Sequence, residues 1–133
     1  MTNICAAIGY SQMNIINKIL KKKKLIANIY KKLLVNLPIR FINDEKDCIN
    51  SNWLIIILLK NKKIKEKLIN ILDKQKIETR PGFYPIHKMP MYKTRKKFIN
   101  ADILSNNTLC LPSYPDLKIS QIFKICNLIK KNI

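Results

Sequence analysis

The chain has 133 residues, of which 47% are hydrophobic, and this length and composition predict one globular domain and argue against disorder. Its formal net charge of +18 raises nucleic acid or an anionic membrane as a partner. Only three of the 26 basic residues are arginine, however, and arginine is the residue best suited to planar recognition of phosphate. We therefore interpret the lysine excess as a compositional bias, and keep a small basic protein that binds nucleic acid or an acidic partner as the alternative function.

The cysteine and histidine content gives no zinc-binding set. The four cysteines form no C-x-x-C pair, and His87 is the only histidine, so no metal site is predicted. No signal peptide is recognised, and the cysteines are predicted to be reduced, mostly buried thiols of a cytoplasmic protein. The longest apolar run, residues 53–59, is far shorter than the ~20 residues that span a membrane.

The N-terminal part is predicted to form one long helix over residues 3–36. Isoleucine and leucine recur at multiples of three or four residues and give an apolar stripe. Thr2 or Asn3 can cap the start of this helix, and Pro38 ends it. The lysines at 21–24 spread around the helix, so they are predicted to be solvated rather than to form a binding stripe.

The rest of the chain is predicted to alternate short strands and helices. A short strand at 39–42 and a polar connector at 43–52 precede a strand at 53–59 that should be buried on both faces. Then follow a helix at 63–75 with Lys65 facing water, a strand at 77–79, one or two helical turns at 98–104, a strand at 108–111, a turn at 113–117 and a C-terminal helix over 119–129. This order predicts an α+β fold, in which a small, mostly antiparallel sheet of three or four strands carries helices on one face.

The loop at residues 77–92 carries the residues of greatest chemical interest. Three of the six prolines lie here, so the loop cannot be a regular helix or a central strand. It also holds an arginine, two tyrosines and the histidine, and shaped loops on a rigid scaffold often carry function. Chemistry alone leaves two interpretations open, a functional loop or a proline-rich connector with ordinary packing aromatics.

Three stretches resemble motifs of the DegT-type sugar aminotransferases, pyridoxal-phosphate (PLP) enzymes of fold type I that aminate keto sugars on nucleotide carriers. MTNICAAIGYSQM at 1–13 resembles the family's R-M-T-N-x-x-A-A-x-G-x-x-Q-L. IETRPGFYPIH and MPMY at 77–92 resemble G-I-x-T-R-x-x-Y-x-P-x-H-x-x-P-x-Y, in a form closest to GDP-perosamine synthases. LPSYPDL at 111–117 resembles the L-P-x-x-P-x-L turn before the last helix. Gly82 departs from the perosamine-type pattern, which usually has a bulky residue there.

The resemblance implies that the chain is the C-terminal third of such an enzyme. Residues 1–37 would form a long helix linking to the large domain, and residues 38–133 would form the small domain. In the family, the large domain holds PLP, the aspartate at its pyridinium nitrogen and the Schiff-base lysine. No lysine here is predicted to replace that lysine, because each lies in a polar-face or turn context.

Without that domain the chain is expected to be inactive and to contain no catalytic residue. It would be half of a split enzyme, a truncated product or a pseudogene product. The complete enzyme would be a cytoplasmic homodimer that makes an amino sugar for surface polysaccharide, and no membrane partner is expected.

The resemblance also implies binding roles for four residues. Tyr84 and His87 would contact the sugar of a nucleotide-sugar substrate, and Arg80 would lie near its carboxylate or phosphate end. Asn3 would lie near the PLP phosphate, since a helix N-terminus suits an anion. A structural role remains open for each loop residue: packing for Tyr84, a bond to backbone for His87, and an ion pair with Glu78 or Asp116 for Arg80.

Overall fold

The computed structural model describes residues 1–42 and 46–133. The helices are α1 (Asn3–Met13), α2 (Ile16–Leu33), α3 (Lys62–Lys74), α4 (Ile99–Asn107) and α5 (Ile119–Lys130). The strands are β1 (Arg40–Phe41), β2 (Ile55–Leu58), β3 (Arg80–Pro81) and β4 (Thr108–Leu111). These elements confirm the predicted α+β fold with its small antiparallel sheet and packed helices.

The sheet has the strand order β1-β2-β4-β3, and every neighbouring pair is antiparallel. Ile55 lies opposite Leu111 and Ile57 opposite Leu109, so these four side chains share one face of the sheet. All four are buried in one apolar cluster with side chains of α2, α3 and α5. Each such buried side chain contributes about 1.5–3 kcal/mol, so the helices on this face hold the fold together.

The single helix predicted over residues 3–36 is interrupted between α1 and α2. At the break the Ile15 N–H donates to Gln12 O at 3.1 Å, and Ile15 has φ −114° and ψ 3°, outside helical values. No residue of α1 is buried, whereas α2 buries one face against the sheet. Packing therefore keeps α2 helical, and nothing in the described residues holds α1 in line with it.

Two predicted strands begin or end at other residues in the structure. The strand predicted at 53–59 is confined to β2, and its burial alternates, so only one of its faces is fully buried. Trp53 precedes this strand and is 70% exposed, although it was predicted to lie in the core. The strand predicted at 77–79 forms three residues later, because Arg80 is the residue that pairs with Cys110 of β4. Its proline is tolerated because β3 is an edge strand.

The other predicted elements agree with the structure. β1 lies within 39–42, α3 and α5 match within one residue at each end, β4 matches at both ends, and α4 runs three residues beyond its predicted end. Residues 43–45 of the predicted connector lie outside the described residues, and residues 46–52 contain no helix or strand.

Gly82 occupies a position where a larger residue does not fit. Its N–H donates to Thr108 O at 3.1 Å, and Thr108 Oγ1 donates to Leu104 O at 2.6 Å. A Cβ on residue 82 would lie 1.7 Å from Thr108 Oγ1 and 3.0 Å from Thr108 Cβ. Thr108 is only 4% exposed, so it has little room to move away. Thr108 thus occupies the space that a larger residue at position 82 would need.

We expect Gly82→Ala to lower the free energy of unfolding by about 1–3 kcal/mol, because overpacking a tight site costs energy of that order. The loss should shrink in a Thr108→Ala background, since that change removes the oxygen that clashes. Urea unfolding of the two single variants, the double variant and the original chain measures this coupling. An equal loss in both backgrounds would contradict the proposed clash.

Candidate functional site

His87 is held against α4 by a carboxylate and an aromatic ring. It lies in a short 3-10 helix, Ile86–Lys88, within the proline-rich loop. Its Nε2 lies 3.2 Å from Asp102 Oδ1, and its ring centroid lies 5.0 Å from that of Phe98 at an interplanar angle of 39°. The side chain is only 14% exposed. These contacts fix the ring orientation and leave Nδ1 as the nitrogen not engaged by Asp102.

Asp102 also contacts a second basic residue of the loop. Its Oδ1 lies 2.6 Å from Lys88 Nζ. The atom is shielded from solvent and no donor reaches it at a good hydrogen-bonding angle, so charge attraction dominates these contacts. Contact with the Lys88 ammonium holds the pKa of Asp102 below its ordinary value, against the opposing effect of desolvation. Asp102 therefore anchors both residues of the loop as a carboxylate.

The other loop residues present an exposed apolar surface. Tyr84 is 60% exposed, and its neighbours Phe83 and Ile86 are 68% and 65% exposed. A second 3-10 helix, Pro90–Tyr92, continues this surface with Met91 and Tyr92. We call residues 83–92 the aromatic loop. Its exposed rings are available to a ligand or a partner domain, and Asp102 of α4 anchors His87 and Lys88 in its middle.

Arg80 does not line the same groove as Tyr84 or His87. It pairs with Cys110 near the end of β4, whereas the aromatic loop leaves β3 beside Thr108 at the start of β4. Its Nε lies 3.4 Å from Glu78 Oε1, so the structural ion pair considered for Arg80 is present and exposed. Arg80 lines a groove that neither Tyr84 nor His87 lines. The structure thus brings His87 and Asp102 together, but does not place Arg80 in a cavity with them.

Asn3 is the first residue of α1 and is exposed. The cap of this helix is Thr2, as predicted, because its side chain accepts a hydrogen bond from the Cys5 N–H at 3.4 Å. Further along, α1 exposes large apolar side chains, namely Ile4, Ile8, Tyr10 and Met13. An apolar helix that buries nothing against its own chain is a candidate docking face for another domain.

Lys23 is buried, contrary to the prediction that the 21–24 run is solvated. It is 8% exposed, and its Nζ donates to Trp53 O at 2.9 Å and to both the carbonyl and the Oγ of Ser113, the latter at 3.1 Å. Burial lowers the pKa of Lys23. We call this set of contacts the Lys23 clamp. It ties α2 to the segments that precede β2 and follow β4.

Lys65 was likewise predicted to face water and is buried. It is 7% exposed, and its Nζ donates to Ser105 O at 3.1 Å. Burial lowers the pKa of Lys65, the nearby Lys62 lowers it further, and Glu66 opposes the shift. The helical pattern placed Lys65 on the solvent-facing side of α3, and it could not show that α4 packs there and contributes the acceptor.

The described residues do not fit a complete PLP site. A Schiff-base lysine needs a free amine, whereas the amines of Lys23 and Lys65 are both occupied by backbone or hydroxyl oxygens. A pyridinium nitrogen needs a carboxylate partner, and Asp102 already contacts Lys88 and His87 of the loop. Within the described part of the chain, the two buried lysines and Asp102 are thus already engaged by other groups of the chain.

Asp102 and Lys23 were absent from the residues predicted to matter. Asp102 could have been found from the sequence. It is the only acidic residue between Glu78 and Asp116, a stretch rich in lysine and arginine. A lone acid in such a stretch is a natural partner for a loop histidine. The burial of Lys23 could not have been predicted in this way, because nothing in a run of four lysines distinguishes the one that packs inward.

Three further predictions concern the cysteines, metals and membranes. Cys110 and Cys126 are buried, but Cys5 and Cys48 are exposed, so half rather than most of the cysteines are buried. Over residues 1–42 and 46–133, no group of three His, Cys, Asp or Glu side chains could hold a metal ion. The helices in those same ranges are too short or too polar to cross a membrane.

Sequence comparison identifies the family. The DegT/DnrJ/EryC1/StrS aminotransferase family matches residues 1–130, so the chain belongs to this family. It is 39% identical over 132 residues to GDP-perosamine synthase of Escherichia coli O157:H7, covering 98% of this chain and 36% of that protein. It is 38% identical over 135 residues to GDP-perosamine synthase of Vibrio cholerae, covering 98% of this chain and 37% of that protein. The chain thus spans about a third of these relatives.

Solved structures show the same fold. The aminotransferase TlmJ from Streptoalloteichus hindustanus superposes with a TM-score of 0.87 at 18% identity, over 96% of this chain and 35% of that one. PseC of Helicobacter pylori, an aminotransferase involved in the biosynthesis of pseudoaminic acid, superposes with a TM-score of 0.83 at 20% identity, over 95% and 36%. The family resemblance and the α+β fold predicted from sequence are therefore both confirmed.

The Lys23 clamp predicts a difference between two adjacent lysines. Lys23→Met should lower the free energy of unfolding by about 2 kcal/mol, because buried oxygens lose a charged donor. Lys22→Met is the matched control and should cost much less, since the Lys22–Asp116 ion pair, at 2.7 Å, is solvent exposed. Urea unfolding followed by circular dichroism measures both. Equal losses would show that Lys23 contributes no more than a surface lysine.

Asp102 should make stability depend on acid pH. Its pKa is lowered in the folded chain, so its contribution is present above the unfolded pKa of about 4 and is lost as pH falls through the folded pKa. The Asp102→Asn variant has no carboxyl to protonate, so its urea midpoint should fall less between neutral and acid pH than that of the original chain. Asp73→Asn, at an exposed position of α3, is the control. A pH dependence reduced equally by both changes would contradict this role.

Proposed function

We propose that the chain is the small domain of a PLP-dependent nucleotide-sugar aminotransferase and works only with a large domain that supplies PLP and the Schiff-base lysine. The observation that carries this proposal is the family match over residues 1–130, with 38–39% identity to two GDP-perosamine synthases of which the chain spans about a third. The reaction would convert a keto sugar on a nucleotide carrier to an amino sugar, for use in surface polysaccharide.

The large domain, on the same or a separate polypeptide, would pack on α1 and complete a cytoplasmic homodimer. Support comes from the exposed apolar side chains of α1, none of which finds a place in the core of this chain. In that assembly Asn3, at the N-terminus of the helix, would approach the phosphate of PLP. A helix N-terminus offers free N–H groups to an anion, although Thr2 already accepts one of them.

The aromatic loop would form the substrate side of the cleft. Tyr84 offers an exposed phenol to a sugar hydroxyl, and His87 offers Nδ1 while Asp102 holds its other nitrogen. Asp102 would act as a positioning residue through His87. Arg80 would contribute to the phosphate or carboxylate end of the substrate from the neighbouring groove that it lines, and in the absence of substrate it would keep its ion pair with Glu78.

A chimera tests the assignment. This chain would replace the part of the E. coli relative that it matches, 36% of that protein. The isolated chain should show neither cofactor absorbance nor transaminase activity, whereas the chimera should show both. Formation of a Schiff base by the isolated chain would contradict the proposed dependence on a second domain, and a folded, PLP-bound but inactive chimera would contradict the proposed function.

The same chimera tests the aromatic loop. Tyr84→Phe and His87→Ala should each lower kcat/KM by about tenfold, the effect of one lost hydrogen bond at the transition state. Lys93→Gln, an exposed change just beyond the loop, is the matched control and should leave kcat/KM unchanged. A chimera that binds PLP normally but is insensitive to both loop variants would reject the assigned substrate contacts.

A further inference from the structure

Two basic side chains of the aromatic loop share one carboxylate oxygen of α4. Asp102 Oδ1 lies 2.6 Å from Lys88 Nζ and 3.2 Å from His87 Nε2. A lysine ammonium normally keeps its charge at neutral pH, whereas an imidazole gains or loses a charge between about pH 5 and 8. The place of Lys88 at this oxygen therefore bears on whether His87 carries a second ring proton.

The surroundings of this oxygen let the two charges act on each other. The His87 side chain is mostly buried, and Asp102 Oδ1 is shielded from solvent, so water screens their interaction only in part. Phe98 packs against the imidazole and adds no charge. Within residues 1–42 and 46–133, Asp102 is the acid that pairs with His87, and Lys88 is the other base that pairs with Asp102.

The carboxylate and the ammonium have opposite effects on the ring. Asp102 alone would stabilise a protonated His87, because an opposite charge at contact distance favours the charged form. Lys88 opposes this effect, because its ammonium lies against the same oxygen and cancels much of the field of the carboxylate at the ring. The closer of the two contacts belongs to Lys88, so the balance favours the uncharged imidazole.

The charge of the ring decides which ligand group it can bind. An uncharged imidazole has one N–H donor and one acceptor nitrogen, whereas an imidazolium has two donors and attracts anions. Nε2 of His87 faces a carboxylate, which can only accept, so the proton of the uncharged ring belongs on Nε2. Nδ1 is then an acceptor, and a hydroxyl group is the ligand group that can donate to it.

We propose that Lys88 is a positioning residue for the proposed reaction and acts on His87 through Asp102. By compensating the carboxylate, Lys88 favours the uncharged ring, whose Nδ1 accepts a hydrogen bond from a sugar hydroxyl and does not attract the phosphates of the carrier. The identity of this ligand rests on the proposed function, whereas the effect of Lys88 on His87 involves residues of this chain alone.

His87 is the only histidine in the chain, so NMR of the imidazole ring reports on this residue alone. We would titrate the full chain from about pH 5 to 8 and follow the ring-proton signals. Lys88→Met should raise the midpoint of this titration by about 0.5–1 pH unit, and Asp102→Asn should lower it, because each change leaves one charge uncompensated beside the ring. The double variant should titrate close to the original chain, since both charges are then absent.

A purely structural role of Lys88 predicts a different pattern. If the variants only loosened the loop, both midpoints would move toward that of an exposed histidine, about 6.5, and would not move apart. Lys93→Met, an exposed change just beyond the loop, is the matched control and should shift the midpoint much less than Lys88→Met. Nitrogen-15 shifts above the midpoint should show the ring proton on Nε2.

Three results of this titration would overturn the proposal. Midpoints that move in the same direction in Lys88→Met and Asp102→Asn would show that the loop is merely loosened. Equal shifts in Lys88→Met and Lys93→Met would show a general effect of removing positive charge. A ring proton on Nδ1 would show that this nitrogen is a donor, which a substrate hydroxyl would not need to approach as a donor itself.

The chimera tests the consequence for the substrate. Lys88→Met should move the acid limb of the kcat/KM profile to higher pH by the same amount as the NMR midpoint, because kcat/KM reports groups of the free enzyme. His87→Ala should remove this limb. The NMR shift with an unchanged kcat/KM profile would reject the role of Lys88 in the reaction. A folded, PLP-bound but inactive chimera would contradict the proposed function, while the NMR titration would still decide whether Lys88 sets the charge of the ring.

Discussion

The pairing of β4 with a strand on each side is the interaction on which the rest of the structure depends. β4 is buried at all four residues and pairs with β2 on one edge and β3 on the other. The β2 pairing places four aliphatic side chains on the face that α2, α3 and α5 cover. The β3 pairing fixes where the aromatic loop begins, and α4, which anchors the loop through Asp102, runs directly into β4.

Polar contacts of unequal strength join the parts around this core. The Lys23 clamp is buried and joins three segments that are far apart in sequence, so its loss leaves several oxygens unsatisfied. The exposed ion pairs Lys22–Asp116 and Arg80–Glu78 contribute little to the free energy of unfolding by comparison, because water screens them. Asp102 lies between these extremes, since it is partly shielded and contacts two basic residues of one loop. The chain thus uses few of its many charges to define its structure.

Sequence patterns predicted most elements because their causes are local. The apolar spacing of α3 and α5, the β-branched run of β2 and the proline after β4 appear within a dozen residues of the elements they specify. The errors have non-local causes. α1 separates from α2 because only α2 has a surface to pack on, and β3 starts at Arg80 because β4 offers its edge there. The solvated character assigned to Lys23 and Lys65 failed because their acceptors come from other segments.

By itself, the sequence determined the family, the α+β class and the loop that carries Tyr84 and His87. Motifs and apolar periodicity can be recognised within short stretches of sequence, without knowledge of the tertiary contacts. Only the tertiary structure decided that Asp102 holds His87, that Arg80 lines a groove without Tyr84 or His87, and that one lysine of four is buried. Those three facts depend on which segments, distant in sequence, pack against each other in the folded chain. Most charged residues of this chain are lysine, and a buried lysine cannot be told from a solvated one by its neighbours in sequence, because its acceptors come from other segments of the fold.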